Sequence, residues 1–406
     1  MELKTSKDIK KLVIKISEQI NEEILNELWP GFNITRFALY KDNKGYLSSN
    51  TSDKTIVEEV LWSNKHYGNT CIKYKNEYLG IWDLNTISNG SSFEKLYASI
   101  VHELFHGYQN IFYAKNYAYE LTAVTYDFTK DSIALMLTER ECLYHAVMES
   151  NTIKKQQYLT DFINIRNYRK KQNPNDVHYD LSIECNEGTA TYVEYKALKY
   201  ISNYSKEQIA KQFWNKLYQP LNLTNHFRRG FYATGFFICL LLDDIAPNWK
   251  TEFQNGEVLL FDLLYKHHQV ANAEIPKADY ILAEQVMAEY KQKQNKEYNK
   301  FHNKQGFTIC IKGNISLKGY DPMNLVAKDK SILHKHFLMF KAGKSDVVLK
   351  TMVICDFSDN IYAPYQIRFK HTEKPIVKDD FIELADIAKV KGNMTKVNDV
   401  YEITVL

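Results

Sequence analysis

The chain of 406 residues contains no pair of cysteines spaced C-x-x-C. Its six cysteines, at positions 71, 142, 185, 239, 310 and 355, are widely scattered, and four of them lie in apolar strand-like or helical runs. That scatter speaks against a disulfide scaffold and for reduced, buried thiols. A long hydrophobic run is also missing. The most apolar stretch, 231–242, is about a dozen residues and ends in Asp243-Asp244, whereas a bilayer-spanning helix takes about 20. It suits a buried helix, and no membrane association is expected. The opening residues Met1-Glu2-Leu3-Lys4-Thr5-Ser6-Lys7-Asp8 lack the apolar segment of a signal peptide, so a cytoplasmic protein is expected. Lysine and arginine nowhere form a dense run, and the formal net charge is only +3. A nucleic-acid partner is therefore not expected. Internal repeats and low-complexity tracts are absent as well.

What is present is a soluble globular composition, 45% hydrophobic and 25% charged, over a length sufficient for two or three domains with cores of their own. Within it, residues 99–110 contain His102-Glu103-x-x-His106. Helical spacing puts histidines at i and i+4 one above the other on one face, where two neutral imidazoles can share a Zn²⁺. Glu103 points about 100° away round the helix, placed to hold a water rather than the metal. In a chain with 12 histidines among 406 residues, chance predicts about 0.02 matches to this pattern, so the motif carries weight.

The surroundings support a helix. Ser91-x-x-Glu94 is a capping-box pattern after Ser88-Asn89-Gly90. Phe93, Leu96, Tyr97, Ile100, Val101, Leu104, Phe105 and Tyr108 then recur at spacings of three and four. His102 and His106 lie opposite the middle of that stripe, beside Lys95, Ala98, Ser99 and Gln109, and so face something polar.

Along the rest of the chain, 5–29 reads as one amphipathic helix stopped by Pro30-Gly31, 32–40 as a strand and 57–62 as a short helical turn. Residues 69–74 and 78–84 flank Lys75-Asn76-Glu77 as a hairpin that runs into the metal helix. Helices are predicted at 131–150, 153–170, 181–200, 206–218, 236–245 and 258–270, and a long polar connector at 276–300. The first of these carries Glu141 and His145 at i,i+4, which without a second histidine reads as a solvated face. Beyond Gly306 helical periodicity gives way to strand-like runs, and 306–406 is read as a separate β-rich domain, in the manner of a sandwich.

A catalytic zinc site usually has three protein ligands and one open position. Glu187 is the best third candidate, because Asn186-Glu187-Gly188-x-Ala190 packs small residues around one carboxylate and lets a second helix approach the first. Glu184 and Glu120 compete for the role. The two motifs together, His102-Glu103-Leu104-Phe105-His106 and Asn186-Glu187-Gly188-Thr189-Ala190, resemble those of the gluzincins, the thermolysin-like zinc metallopeptidases. The resemblance covers roughly 69–245. It departs from the family in the 81 positions between His106 and Glu187, which imply an inserted helical hairpin, and in the lack of a Gly-x-Met-Glu-Asn motif for a free amine.

Several expectations follow from the resemblance. The fold is α+β, with a zincin-like, mainly helical domain over 1–300 followed by the β-rich domain at 306–406. In the first, an upper lobe with a small sheet (about 1–115) precedes a helical lower lobe (about 116–275) and the connector (about 276–300). His102, His106 and Glu187 are zinc ligands, Glu103 is the general base, and Tyr232, with His226 as the alternative, stabilises the oxyanion. Gly80-Ile81-Trp82 forms the sheet edge on which an extended peptide or protein substrate adds a strand. The expected activity is zinc-dependent peptide-bond hydrolysis. The alternative is a non-catalytic zinc protein that engages a partner through its β-rich domain.

Overall fold

The structure, a computed structural model, describes residues 5–51, 54–63, 65–87, 91–112, 118, 120–217, 223–255, 258–268, 275–358, 360 and 363–405. It is α+β, with a largely helical N-terminal region and a β-rich C-terminal one. Among the described residues, no helix is long and apolar enough to cross a membrane.

The chain opens with α1 (Ser6–Ser17) and α2 (Glu22–Leu28), where the periodicity of 5–29 suggested one helix. The break comes at Asn21, whose side chain accepts from Ile24 N and starts a new helix. Strands β1 (Phe37–Lys41), β2 (Lys44–Thr51), β3 (Lys54–Leu61), β4 (Thr70–Tyr74) and β5 (Glu77–Asp83) follow. They form one mixed sheet in the order β3-β2-β1-β5-β4. Of residues 57–62, read as a helical turn, 57–61 belong to β3, because eight successive pairings with β2 outweigh a local i,i+3 pattern. The β4–β5 hairpin is as expected: Tyr74 pairs with Glu77 across a two-residue turn in which Lys75 and Asn76 both take positive φ. The edge assigned to Gly80-Ile81-Trp82 is corrected. β5 lies between β1, to which it runs parallel, and β4, to which it runs antiparallel, so the outer strand on this side is β4.

Helix α3 (Phe93–Phe112) carries the metal motif, and Ser92 Oγ accepts from Lys95 N at its start. After it come α4 (Lys130–Met148), α5 (Thr152–Gln172) and α6 (Pro174–Ile183). A π-helical turn, Glu184–Gly188, runs on into α7 (Thr189–Ile201). Then follow α8 (Lys206–Leu217), α9 (Leu223–Ile245), α10 (Trp249–Asn255), α11 (Leu260–His267) and α12 (Tyr280–Asn303). An aromatic cluster ties α3 to α7: Trp29 meets Phe105 at 5.1 Å, Tyr192 at 6.2 Å and Trp249 at 5.3 Å between ring centres. Such edge-on packing adds to the burial of large rings, and Trp29, Phe105 and Trp249 are at most 1% exposed.

By the clustering of contacts the chain divides into two units. One comprises Met1–Ala118, Leu135–Asn222 and Phe227–Asp279; the other comprises Tyr119–Ala134, Leu223–His226 and Tyr280–Leu406. The second holds α12 and strands β6 (Phe307–Gly313), β7 (Ile315–Tyr320), β8 (Leu325–Lys328), β9 (Ser331–His334), β10 (Leu338–Ala342), β11 (Ser345–Leu349), β12 (Val353–Phe357), β13 (Pro364–His371), β14 (Ile376–Lys378), β15 (Phe381–Leu384), β16 (Ala388–Val397) and β17 (Val400–Val405). A three-stranded sheet, β11-β10-β7, and a nine-stranded one, β14-β15-β16-β17-β6-β13-β12-β9-β8, share one apolar core that includes Phe340, Val347, Ile309, Ile367 and Phe369.

Candidate metal centre

The i,i+4 spacing on α3 does what the sequence implied. His102 Nε2 and His106 Nε2 stand 3.1 Å apart. The third member arrives from the π-turn before α7: Glu187 Oε2 lies 3.6 Å from His102 Nε2 and 3.3 Å from His106 Nε2. These three are the only group of metal-type ligands brought together among the described residues. Glu184 is not at this centre. It takes two hydrogen bonds from Arg166, at 2.9 and 2.8 Å, and one from Thr234 Oγ1 at 2.6 Å, inside a fully buried network. Arg166 also donates to Glu139, and Arg169 donates to both Glu139 and Asp180. The Glu120 side chain lies outside the described residues, as does that of His226. Glu141 and His145 form a surface pair at 3.9 Å.

Each imidazole has a polar neighbour at its outer nitrogen. Gln109, one turn beyond His106, donates through Nε2 to Asn186 O at 2.7 Å and to Thr189 Oγ1 at 2.8 Å. Its Oε1 therefore faces His106 Nδ1, 2.6 Å away, and that nitrogen must carry the hydrogen. Glu194 Oε2 sits 3.2 Å from His102 Nδ1 and favours the hydrogen there too. Both Nε2 lone pairs then converge on Glu187 Oε2, three acceptors with no donor between them. Such a convergence favours a cation between them. The same charges act on His102: burial would lower it, but Glu187 and Glu194 lift it to about 10.

The spacing fits a metal ion equally well. A tetrahedral centre with ligand bonds of about 2.0–2.1 Å has edges of roughly 3.3–3.4 Å. The observed 3.1, 3.3 and 3.6 Å outline one face of such a tetrahedron. Two imidazoles and one carboxylate suit zinc, and other divalent transition metals besides.

Helix α9 supplies the remaining parts. Arg228, 7% exposed, donates to Glu187 Oε1 at 2.9 Å and leaves Oε2 to the histidines. Burial would raise the Glu187 carboxyl, yet Arg228 and then the histidines hold it well below the usual range. Arg228 also donates to the Tyr232 hydroxyl, one turn further along. The approach of α9 depends on Gly235 and Gly188. A Cβ on Gly188 would come within 2.5 Å of Gly235 Cα, and one on Gly235 within 2.6 Å of Glu184 O.

His102, Glu103, Glu194 and Tyr232 line one cavity of about 160 Å³, together with Trp82 and Arg229. Burial pushes the Glu103 carboxyl up; His102 and His106 pull it down, and Glu187 and Glu194 add to the rise.

Sequence reasoning missed Glu194 and Arg228. Glu194 lies seven positions after Glu187, two turns along the same helix, and Arg228 lies one turn before Tyr232. Both periodicities are visible once the anchor residue is known. In comparison with known proteins, no family model, curated protein or solved structure matches this chain.

Proposed function

We propose that this protein is a zinc-dependent hydrolase of peptide bonds, similar to the gluzincins. The observation that carries the reading is the convergence of His102 Nε2, His106 Nε2 and Glu187 Oε2 at tetrahedral spacing, with Glu103 lining the cavity beside them. A zinc ion bound there supplies Lewis-acid polarisation of a carbonyl and acidifies water to a pKa near 7. Glu103 takes the proton from the attacking water and delivers it to the leaving amine. Tyr232 donates its hydroxyl hydrogen to the developing oxyanion, and the hydrogen bond its oxygen accepts from Arg228 makes it a stronger donor. Glu194 and Gln109 hold the two imidazoles in the tautomer that offers Nε2.

The zincin-like reading of the fold rests on a sheet whose last hairpin leads into the metal helix. Since β4 is the outer strand, an extended substrate adds along Thr70–Tyr74. Trp82 of β5 is then a wall of the cavity. No transmembrane segment and no nucleic-acid surface enter this reading, and a cytoplasmic setting accords with it.

The test is elemental analysis of the purified protein beside Glu187→Ala, followed by cleavage of unstructured peptides by wild type and Glu103→Gln. One zinc per chain is expected, sharply weakened in Glu187→Ala. Cleavage is expected to vanish in Glu103→Gln while zinc stays bound. Absence of zinc after reconstitution, or full activity in Glu103→Gln, refutes the mechanism.

A further inference from the structure

The cavity holds one charge that the catalytic reading does not use. Arg228 and Arg229 are adjacent on α9, and a step of about 100° turns their side chains to different faces. Arg228 is committed to Glu187 and Tyr232. Arg229, half-buried, lines the cavity with Trp82, Ser99, Phe213 and Tyr232. Among the described residues, its guanidinium has no ion pair, no hydrogen bond and no aromatic face beneath it. Buried arginines normally meet a carboxylate, and Arg229, partly shielded from water at a cavity wall, is placed to take one from a ligand.

The balance of charge points the same way. Glu103, Glu187 and Glu194 bring three negative charges to the centre. A divalent ion held there would, with Arg228, offset all three, and Arg229 would be the positive charge left over. Its planar fork of donors matches a carboxylate in bidentate fashion. The space of about 160 Å³ is well below the roughly 300–1,000 Å³ of pockets for drug-sized molecules. It suits a single residue of an extended chain.

We propose that Arg229 is a specificity residue that binds a substrate carboxylate next to the bond to be cleaved, supplied either by an acidic side chain or by a free C-terminus. The inference rests on the hydrolase reading for the word substrate, but its binding content stands by itself. A neutral isostere at the same place gives the guanidinium no carboxylate to pair with, so discrimination of about 10- to 100-fold is expected.

The test uses the full zinc-loaded chain and unstructured fluorogenic peptides that differ only in Glu or Gln at each position flanking the cleaved bond. Each is made with a free and with an amidated C-terminus. Rates give kcat/KM, and calorimetric titration of Glu103→Gln, with and without zinc, gives Kd independently of turnover. The carboxylate peptide is expected to be favoured about 10- to 100-fold in both readouts. Arg229→Gln erases the preference, Arg229→Lys keeps part of it, and circular dichroism shows both variants folded. A preference that survives amidation assigns an acidic side chain; one that is lost assigns the C-terminal carboxylate. Equal Kd values for the Glu and Gln peptides, binding of neither, or a preference retained in Arg229→Gln overturns the proposal. Cleavage without any charge preference would leave the hydrolase reading standing alone. Arg229-dependent binding of the carboxylate peptide without cleavage would do the reverse.

Discussion

Substituting Gly235 by alanine tests how the third ligand is held. The added methyl would sit 2.6 Å from Glu184 O, 2.8 Å from Glu184 Cα and 2.8 Å from Gly188 Cα. All three atoms are backbone of the π-turn that carries Glu187, so no side chain can swing aside. An ordinary contact begins near 3.4 Å, and the two segments must part by about 0.8 Å. Overpacking of this kind costs roughly 1–3 kcal/mol, which lowers the unfolding midpoint by about 2–4 °C per kcal/mol in a unit of this size. The shift matters more for the metal, since zinc–ligand distances are tolerant to only about 0.2 Å. His102 and His106 stay with α3, while Glu187 moves with the turn. Zinc affinity is expected to fall by about 10- to 100-fold. Competition with a chromophoric chelator reads the affinity, and thermal melts of the metal-free protein read the stability. Gly319→Ala is the control, because its new methyl meets only the flexible Met339 side chain at 3.2 Å. Unchanged zinc affinity in Gly235→Ala would refute the argument that this helix contact positions Glu187.

Two further outcomes follow from named contacts. Gln109→Leu removes the acceptor that fixes the His106 tautomer and is expected to weaken zinc binding by about 10- to 100-fold in the same chelator assay; an unchanged affinity would show that Gln109 does not set the tautomer. In the β-rich unit, His334 is 1% exposed, beside Tyr320 at 5.7 Å between rings, and burial pushes it down to about 4. A folded-state value below the ordinary 6.5 means that the unfolded chain binds the proton more readily. The contribution is therefore complete above about pH 6.5 and is lost on acidification towards pH 4, amounting to about 3 kcal/mol at 1.36 kcal/mol per pH unit. Denaturant titrations between pH 7 and pH 4 are expected to show a shallower loss in His334→Met than in wild type, and parallel curves would remove His334 from the account.

The parts of this molecule that were legible in the sequence are those fixed by neighbours along the chain. The β4–β5 hairpin is one, placed where the flanking runs implied, although its turn is the two residues Lys75 and Asn76 and Glu77 belongs to β5. Helices α4 and α5 are others, with ends close to those their periodicity implied. Where pairing is long-range, the local pattern misled. Of residues 57–62, which have helical spacing, 57–61 answer to β2. Gly80, Ile81 and Trp82 looked like an edge because nothing in their own stretch announces β1 on one side and β4 on the other.

The candidate site divides along the same line. The sequence by itself determined that His102 and His106 share a face with Glu103 turned aside, because one helix fixes all three by rise and rotation. Only the tertiary structure decided which carboxylate joins them. Glu184 and Glu187 are three residues apart and would be neighbours on an α-helix. They sit instead on a π-turn, whose smaller rotation per residue turns them apart. Arg166 and Thr234 claim Glu184, and Arg228 steadies Glu187 against the histidines. Those partners come from α5 and α9, and the close approach of Gly188 and Gly235 brings α9 within reach. No local pattern encodes a contact between backbones 47 positions apart; it exists only once the helices have packed.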